Sequence, residues 1–145
     1  MSDGRVKRGW SLELAGGATA FRKTANFDGE IGGGIFYDTS DSLSLDFNVI
    51  SRLSMSHQYF ALAPRLRWRP LINFSAFDVA VKAPVAGGLE STVLSAYAGV
   101  GAEVGFSLPV GSDNIVRLFL EARSGLATSE RQLEWGANVG ATFYF

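Results

Sequence analysis

The sequence predicts an all-β protein, an eight-stranded antiparallel up-and-down transmembrane β-barrel, and three observations predict it. Apolar residues alternate with polar residues or glycine along most of the 145 residues, and this period of two places the two sets on opposite faces of a strand. Short polar stretches separate the alternating segments, as in a meander of hairpins. The polar set also carries many of the 17 glycines, which relieve crowding inside a narrow barrel.

Composition excludes several classes of protein. The net charge of −1 offers no basic surface for nucleic acid, so no nucleic-acid partner is expected. Charged residues make up 19% of the chain and apolar residues 47%, yet no apolar run approaches the roughly 18 residues of a membrane helix. A chain with no cysteine and one histidine lacks the usual metal ligands, so neither a metal nor a cofactor is expected.

The first four predicted strands alternate regularly. They are Trp10–Phe21, Phe27–Tyr37, Leu43–Ser51 and Tyr59–Trp68. Residues 22–26 and 38–42 are polar turns, in which Asp, Asn and Ser side chains bond to their own backbone, and a polar loop, 52–58, leads to strand four. Because proline cannot donate a hydrogen bond to a neighbouring strand, Pro64 predicts a bulge or a local break in strand four.

The last four predicted strands include the least regular one. They are about Ile72–Lys82, Thr92–Leu108, Ile115–Ser124 and Gln132–Phe145. In strand five the apolar parity changes near Ala76, which a bulge there would explain. The turns 69–71 and 109–114 are tight, whereas the loops 83–91 and 125–131 are longer. Transmembrane barrels combine short turns at one end with longer loops at the other, which places both termini at the end with the short turns.

The C-terminal strand ends on two aromatic residues. Its tail, Asn138-x-Gly140-x-x-Phe143-x-Phe145, resembles the signal that the barrel-assembly machinery reads in bacterial outer-membrane β-barrels. In strand count, alternation and this signal, the whole chain resembles the small OmpA/OmpX-type barrels. The resemblance implies a bacterial outer-membrane location, with outer-membrane lipid and, during insertion, the barrel-assembly machinery as partners. Residues 1–9 would form a periplasmic tail, residues 10–145 the barrel, and both termini would lie in the periplasm.

The apolar face could point outward to lipid, or inward as in a soluble, lipocalin-like barrel. Two further patterns favour the outward direction. Aromatic residues of the apolar set near strand ends suit an interfacial girdle; they are Trp10, Tyr37, Trp68, Trp135, Phe143 and Phe145. The opposite face carries charges of both signs in mid-strand. Since an unpaired charge is costly in a closed lumen, we expect a network around Arg65, Arg67, Arg117 and Glu121. The expected members are Glu30, Asp46, Arg65, Arg67, Glu103, Arg117, Glu121 and Arg123. Charges of the same parity are Glu13, Asp28, Asp78, Lys82 and Glu134.

Function is less determined than architecture. An eight-stranded interior is just filled by side chains, so the expectation is a non-enzymatic barrel with a plugged lumen. It would act as a structural or anchoring protein, or as a subunit of an envelope complex with a protein partner. A narrow channel for small solutes remains an alternative. A lipid A-modifying enzyme is another, although the small lipid A deacylases carry His-x-Ser on a strand, and here Ser56 directly precedes His57 in a predicted loop.

No catalytic residue is predicted. The segment from Gly99 to Gly105 imitates a dinucleotide-binding loop, but that motif has to connect a strand to a helix, and here it lies within one predicted strand. A regular meander with tight turns also suits a designed barrel, whereas Pro64 and the polar Met55–Gln58 loop favour a natural origin.

Overall fold

The computed structural model describes residues 7–21, 24–40, 42–54, 57–71, 76–90, 93–111, 113–127 and 133–145. These residues form one antiparallel sheet. Its segments are β1 (Lys7–Phe21), β2 (Thr24–Asp38), β3 (Leu43–Ser54), β4 (His57–Trp68), β5 (Phe77–Lys82), β6 (Val85–Glu90), β7 (Val93–Val110), β8 (Asn114–Ala127) and β9 (Leu133–Tyr144). Because β1 pairs with both β2 and β9, the sheet closes into a barrel. The described part of the chain has no helix long and apolar enough to cross a membrane.

Segments β5 and β6 are two parts of one wall strand. Both pair with β4 and with β7, in a register that continues unbroken from one segment to the other. Between them, the Ala83 N–H donates to the Pro64 carbonyl and the Gly99 N–H donates to the Pro84 carbonyl, both at 3.0 Å. The barrel therefore has eight strands in up-and-down order, and the predicted fold class is confirmed.

The interruption in the wall lies at Ala83–Pro84, so the predicted bulge or break of strand four at Pro64 is wrong. Segment β4 runs through Pro64, which keeps its register with Phe47 on β3. Pro64 on β4 and Pro84 between β5 and β6 each lack an N–H. The wall strand therefore loses one hydrogen bond to β4 and one to β7 at Ala83–Pro84, and it divides there. The predicted loop 83–91 is also wrong, because Val85–Glu90 is a strand.

Several strands extend into predicted loops. The loop 52–58 is wrong because β3 reaches Ser54 and β4 begins at His57, which therefore opens a strand. Likewise β8 continues to Ala127. The predicted contrast between short turns and long loops is thus absent from the described hairpins. Lumen-facing residues near strand ends, such as Arg52, are as polar as loop residues, so composition alone places the strand ends too early.

Two other boundaries shift. Segment β1 begins at Lys7, three residues before the predicted start at Trp10. Of predicted strand five, residues 72–75 lie outside the described part of the chain. Ala76 lies in a turn before β5, so the expected bulge within a strand there is wrong. Its carbonyl accepts a hydrogen bond of 2.7 Å from the Ser107 N–H, which fixes the start of β5 against β7.

The strands are staggered around the barrel. The stagger is found by starting at Ser107 on β7 and moving from each residue to its partner on the next strand. One full circuit of the barrel returns to β7 at Tyr97, ten residues from the start. Such a stagger tilts the strands relative to the barrel axis, and with eight strands the interior is just wide enough for side chains to fill. We call the end that holds Lys7 and Phe145 the proximal end, and the opposite end the distal end.

The two faces of the wall differ as the alternation predicts. On β8, Phe119 faces the lumen and is 2% exposed, whereas its neighbour Leu120 faces outward and is 66% exposed. The same alternation holds on the other described strands, with charged side chains buried inside and large apolar side chains exposed outside. This polarity is the reverse of a soluble barrel, in which apolar residues lie inside.

Candidate functional site

A network of ion pairs runs through the lumen from the proximal end to the distal end. Each residue in it lies within 4.0 Å of an oppositely charged neighbour. In order, its members are Arg69, Asp38, Arg67, Asp46, Arg65, Glu13, Lys82, Glu121, Arg123, Glu30, Arg52 and Glu134. The charges alternate in sign, so the described lumen has a continuous polar interior and no apolar layer across it.

Asp46 organises the proximal half of this network. Its carboxylate accepts hydrogen bonds from Arg67 at 2.9 Å, from Arg65 at 3.2 Å and from the Tyr144 hydroxyl at 2.7 Å. These groups come from β3, β4 and β9, which meet across the lumen. With three donors around it, the Asp46 carboxylate is neutralised although its residue is 0% exposed.

Arg65 connects the organising carboxylate to the opposite wall. Its guanidinium also donates to Glu13 at 2.6 Å and to Glu103 at 3.1 Å. Glu103 in turn accepts from Arg117 at 2.7 Å, and Arg117 bonds Asp78 with two nitrogens, at 2.6 and 2.8 Å. A forked pair of this kind fixes both side chains in direction as well as distance. The proximal half is thus filled by mutually oriented charges.

Phe119 lies at the centre of three cations. The charged ends of Arg65, Arg117 and Lys82 lie 5.3, 5.3 and 5.6 Å from the centre of its ring. Cations at this distance from an aromatic ring are attracted by its negative face. The ring therefore fills the middle of the lumen and also adds to the neutralisation of the charges around it.

Glycines in the wall make room for this filling. A Cβ atom at Gly140 would lie 2.5 Å from the tip of the Phe119 ring and 2.7 Å from the Leu14 carbonyl. A Cβ atom at Gly101 would lie 2.7 Å from the Glu121 carboxylate. The sequence predicted that lumen glycines relieve crowding, and the structure shows which large side chains use the space.

The distal half is built differently. Arg123 pairs with Glu30 and with Glu121, the latter at 2.6 Å. Nearer the distal end, Arg52 pairs with Asp28 and, at 2.8 Å, with Glu134. Beside these ion pairs lies a cluster of buried apolar and aromatic residues, formed by Ile50, Tyr59, Ala61, Ala63, Ala86 and Tyr97. One side of the distal lumen is therefore apolar.

All eight residues of the network expected from the sequence lie in the lumen and make ion pairs there. The other five charges of the same parity do so as well. The sequence missed Arg52, Asp38 and Arg69, because they fall in segments assigned to loops or turns. Arg52 shares the parity of Asp46, so continuing the alternation by one residue would have found it. No sequence signal marks Phe119 as the centre of three cations.

The six predicted girdle residues lie near the ends of the outer wall. Trp10, Trp68, Phe143 and Phe145 are exposed and Tyr37 is half-buried, all towards the proximal end; the sixth, Trp135, is exposed towards the distal end. Two further exposed aromatics, Phe27 and Phe60, lie on the distal side. Aromatic residues therefore flank the apolar wall at both ends.

The predicted assembly signal lies in the strand that closes the barrel. The Trp10 N–H donates to the Phe145 carbonyl at 2.8 Å, and the Phe145 N–H donates to the Trp10 carbonyl at 3.0 Å. Phe143 and Phe145 face outward, whereas Asn138 faces the lumen and donates to Glu121 at 2.8 Å. Asn138 and Gly140 thus have packing roles in the folded barrel.

No group of three or more potential metal ligands lies together in the described ranges. His57, the single histidine, is the first residue of β4 and pairs through its backbone with Glu90. The Gly99–Gly105 segment lies within β7, so the structure gives it no strand-to-helix turn.

Solved structures with this fold include a natural barrel and a designed one. The crystal structure of Neisserial surface protein A (NspA) matches with a TM-score of 0.68 and 11% sequence identity, over 97% of this chain and 97% of that chain. A de novo designed transmembrane β-barrel matches with a TM-score of 0.51 and 15% identity, over 94% and 95% of the two chains. These matches confirm the predicted architecture of a small outer-membrane-type barrel. No protein-family model and no curated protein matches the sequence.

Proposed function

We propose that this chain is a non-enzymatic barrel of a bacterial outer membrane whose lumen is closed by its own side chains. It would serve as a structural or anchoring protein, or as a subunit of an envelope complex with a protein partner. The observation that carries the proposal is the ion-pair network that fills the lumen. Arg65, Arg117, Lys82 and Asp46 are at most 1% exposed, and side chains held by several partners leave little room for a solute.

The outer wall supports the membrane location. Leu120, Val139 and Leu62 lie in mid-strand and are 61 to 66% exposed, although burial of such side chains from water is worth about 1.5–3 kcal/mol each. Lipid would cover this surface, and the aromatic residues at both ends would lie at the headgroups as a girdle.

The orientation and the assembly route belong to the same proposal. Lys7 and Phe145 lie at the same end of the barrel, so both termini would lie on one side of the membrane, and the resemblance to outer-membrane barrels implies that this side is the periplasm. The barrel-assembly machinery would read the C-terminal strand through its outward residues Phe143 and Phe145. That strand also forms the closing seam with β1, so its recognition and barrel closure would involve the same element.

A charge on the outer wall tests the membrane location. We expect Leu120→Arg to lower the free energy of unfolding in lipid vesicles by about 2–4 kcal/mol, because Leu120 lies near the middle of its strand and would be close to the bilayer midplane. The control is Leu126→Arg, on the same outward face and near the end of the same strand, where the cost falls to about 0–1 kcal/mol. Equal small costs at both positions would contradict a lipid-facing wall.

Conductance in planar bilayers tests the closed lumen against the alternative of a narrow channel. The channel retains support from the unbroken polar interior, which a small hydrated ion tolerates better than an apolar one. We expect no sustained current steps from the inserted barrel. Ohmic steps that scale with the amount of inserted protein would show a conducting lumen and overturn the closed-lumen proposal.

The native mass after mild detergent extraction tests the subunit role. An assembly larger than one barrel, with other chains co-purifying, would support it. A particle of monomer size would reject the subunit role and leave the anchoring role. Mass spectrometry of lipid A, with and without the protein, tests the non-enzymatic part, and a changed lipid A would overturn it.

A further inference from the structure

A small cavity lies in the distal half of the lumen, between the charge network and the apolar cluster. Its volume is about 10 Å³, the space open to the centre of a water molecule. Glu30, Arg52 and Arg123 line one side, and Tyr59 and Tyr97 line the other. A cavity of this size is about what one water molecule needs, and water occupies such a space when several polar groups face it.

Two of the lining residues carry buried polar atoms without a hydrogen-bond partner among the described residues. They are the Tyr97 hydroxyl and the Nε atom of Arg123. The two residues are 4% and 5% exposed. Leaving a buried donor unsatisfied costs about 1–3 kcal/mol, and more when the group is charged. Both atoms therefore need a hydrogen-bond partner that the described residues do not supply.

We propose that this cavity is a binding site for one ordered water molecule, which accepts a hydrogen bond from Arg123 Nε and bonds the Tyr97 hydroxyl. The other polar groups around the cavity supply further partners. The Glu30 carboxylate can accept from the water, since it is already oriented here by its bond from Arg123 Nη2 at 3.2 Å. Three bonds are typical of a buried water.

The surrounding charges favour water over an ion. Arg123 is already neutralised by Glu30 and Glu121, so an anion would meet two carboxylates close by. A cation would meet Arg123 and Arg52, which also faces the cavity. A neutral molecule that both donates and accepts satisfies the two atoms without adding charge, and the volume leaves room for none larger than water.

The bound water extends the polar network to β7. Arg123 belongs to β8 and Glu30 to β2, whereas Tyr97 lies on β7 and belongs to the apolar and aromatic cluster. The Tyr59 hydroxyl and Ser95 lie 3.3 Å apart on the same side of the lumen. The water thus connects the ion pairs to the aromatic wall, and the distal half of the lumen is hydrated where the proximal half is closed by direct contacts.

A crystal structure at a resolution that shows ordered waters tests the proposal. We expect a density peak within about 2.7–3.2 Å of both Tyr97 Oη and Arg123 Nε. Tyr144 is the internal control, because it is equally buried and its hydroxyl donates directly to Asp46. We therefore expect no water peak between these two groups.

Three outcomes overturn the proposal: no peak, a peak that bonds only one of the two atoms, or a direct bond from Arg123 to Tyr97. In a Tyr97→Phe variant, which keeps the ring, we expect the occupancy of the peak to fall by more than half. An unchanged peak in that variant would show that the tyrosine does not hold the water.

Discussion

The two halves of the lumen are closed in different ways. In the proximal half, Asp46 and Arg117 are 0% exposed and each bonds more than one partner directly. In the distal half, Arg52 and Arg123 are 8% and 5% exposed and lie beside an apolar cluster with a small cavity. Ion pairs fill the first half, whereas in the second half ion pairs occupy one side and the apolar and aromatic cluster occupies the other.

This difference predicts where the barrel resists change. The proximal charges Asp46, Arg65, Glu103 and Arg117 are each enclosed by partners on other strands, so loss of one leaves others buried and unpaired. A distal side chain such as Arg52 keeps some exposure and lies beside a small cavity, so it is less tightly enclosed, and the cost of a core change depends on how well the site adjusts. Substitutions of the same chemistry should therefore cost more in the proximal half.

The largest effect is expected for Arg65→Met. It leaves Glu13, Asp46 and Glu103 without one of their donors, in a region closed to solvent. Removing one partner of a buried ion pair costs about 3–5 kcal/mol. The measurement is urea unfolding in lipid vesicles, read by the shift in electrophoretic mobility between folded and unfolded barrel.

Arg52→Met is the matched change in the distal half. It removes the same guanidinium from Asp28 and Glu134, but Arg52 keeps some exposure, so we expect a smaller loss than for Arg65→Met. If the two variants lost equal stability, the proposed difference between the halves would be wrong.

A smaller effect is expected at the two buried tyrosine hydroxyls. Tyr144→Phe removes a hydrogen bond to the charged Asp46, which is worth about 1.5–3 kcal/mol. Tyr97→Phe removes a hydroxyl that has no protein partner among the described residues, so we expect about 1 kcal/mol or less from a water-mediated bond. The comparison uses the same unfolding assay, and a larger loss for Tyr97→Phe would reverse the ranking of the halves.

Glycine substitutions are expected to range from a moderate cost to no cost. Gly140→Ala places a methyl group against the Phe119 ring and the β1 backbone, and overpacking of this kind costs about 1–3 kcal/mol. At Gly125 the three atoms nearest to an added Cβ all belong to the end of the Tyr97 side chain and none to the backbone, so we expect a lower cost for Gly125→Ala.

Gly87→Ala serves as the control for the glycine pair, since an added Cβ there meets nothing within 4 Å. It should be neutral or slightly stabilising, because glycine in a strand is about 0.5–1 kcal/mol less favourable than alanine. A cost at Gly87 similar to that at Gly140 would show that steric contact with Phe119 is not the cause.

By itself, the sequence determined the strand count, the face on which each mid-strand residue lies, and the sign of the lumen charges. These follow from local geometry, since successive side chains of a strand point to opposite faces wherever the strand is placed. The parity of Asp46 and Arg65 therefore predicted that both face the lumen. The same rule predicted apolar side chains such as Leu120 on the outer wall.

Only the tertiary structure decided which lumen residues meet. Arg65 and Glu13 lie 52 positions apart in the chain and 2.6 Å apart in space, because the stagger of ten residues around the wall sets which levels face each other. The same closure brings three cations around Phe119 and divides the strand at Ala83–Pro84. None of these follows from the alternation, because each depends on distant strands that the period of two does not align.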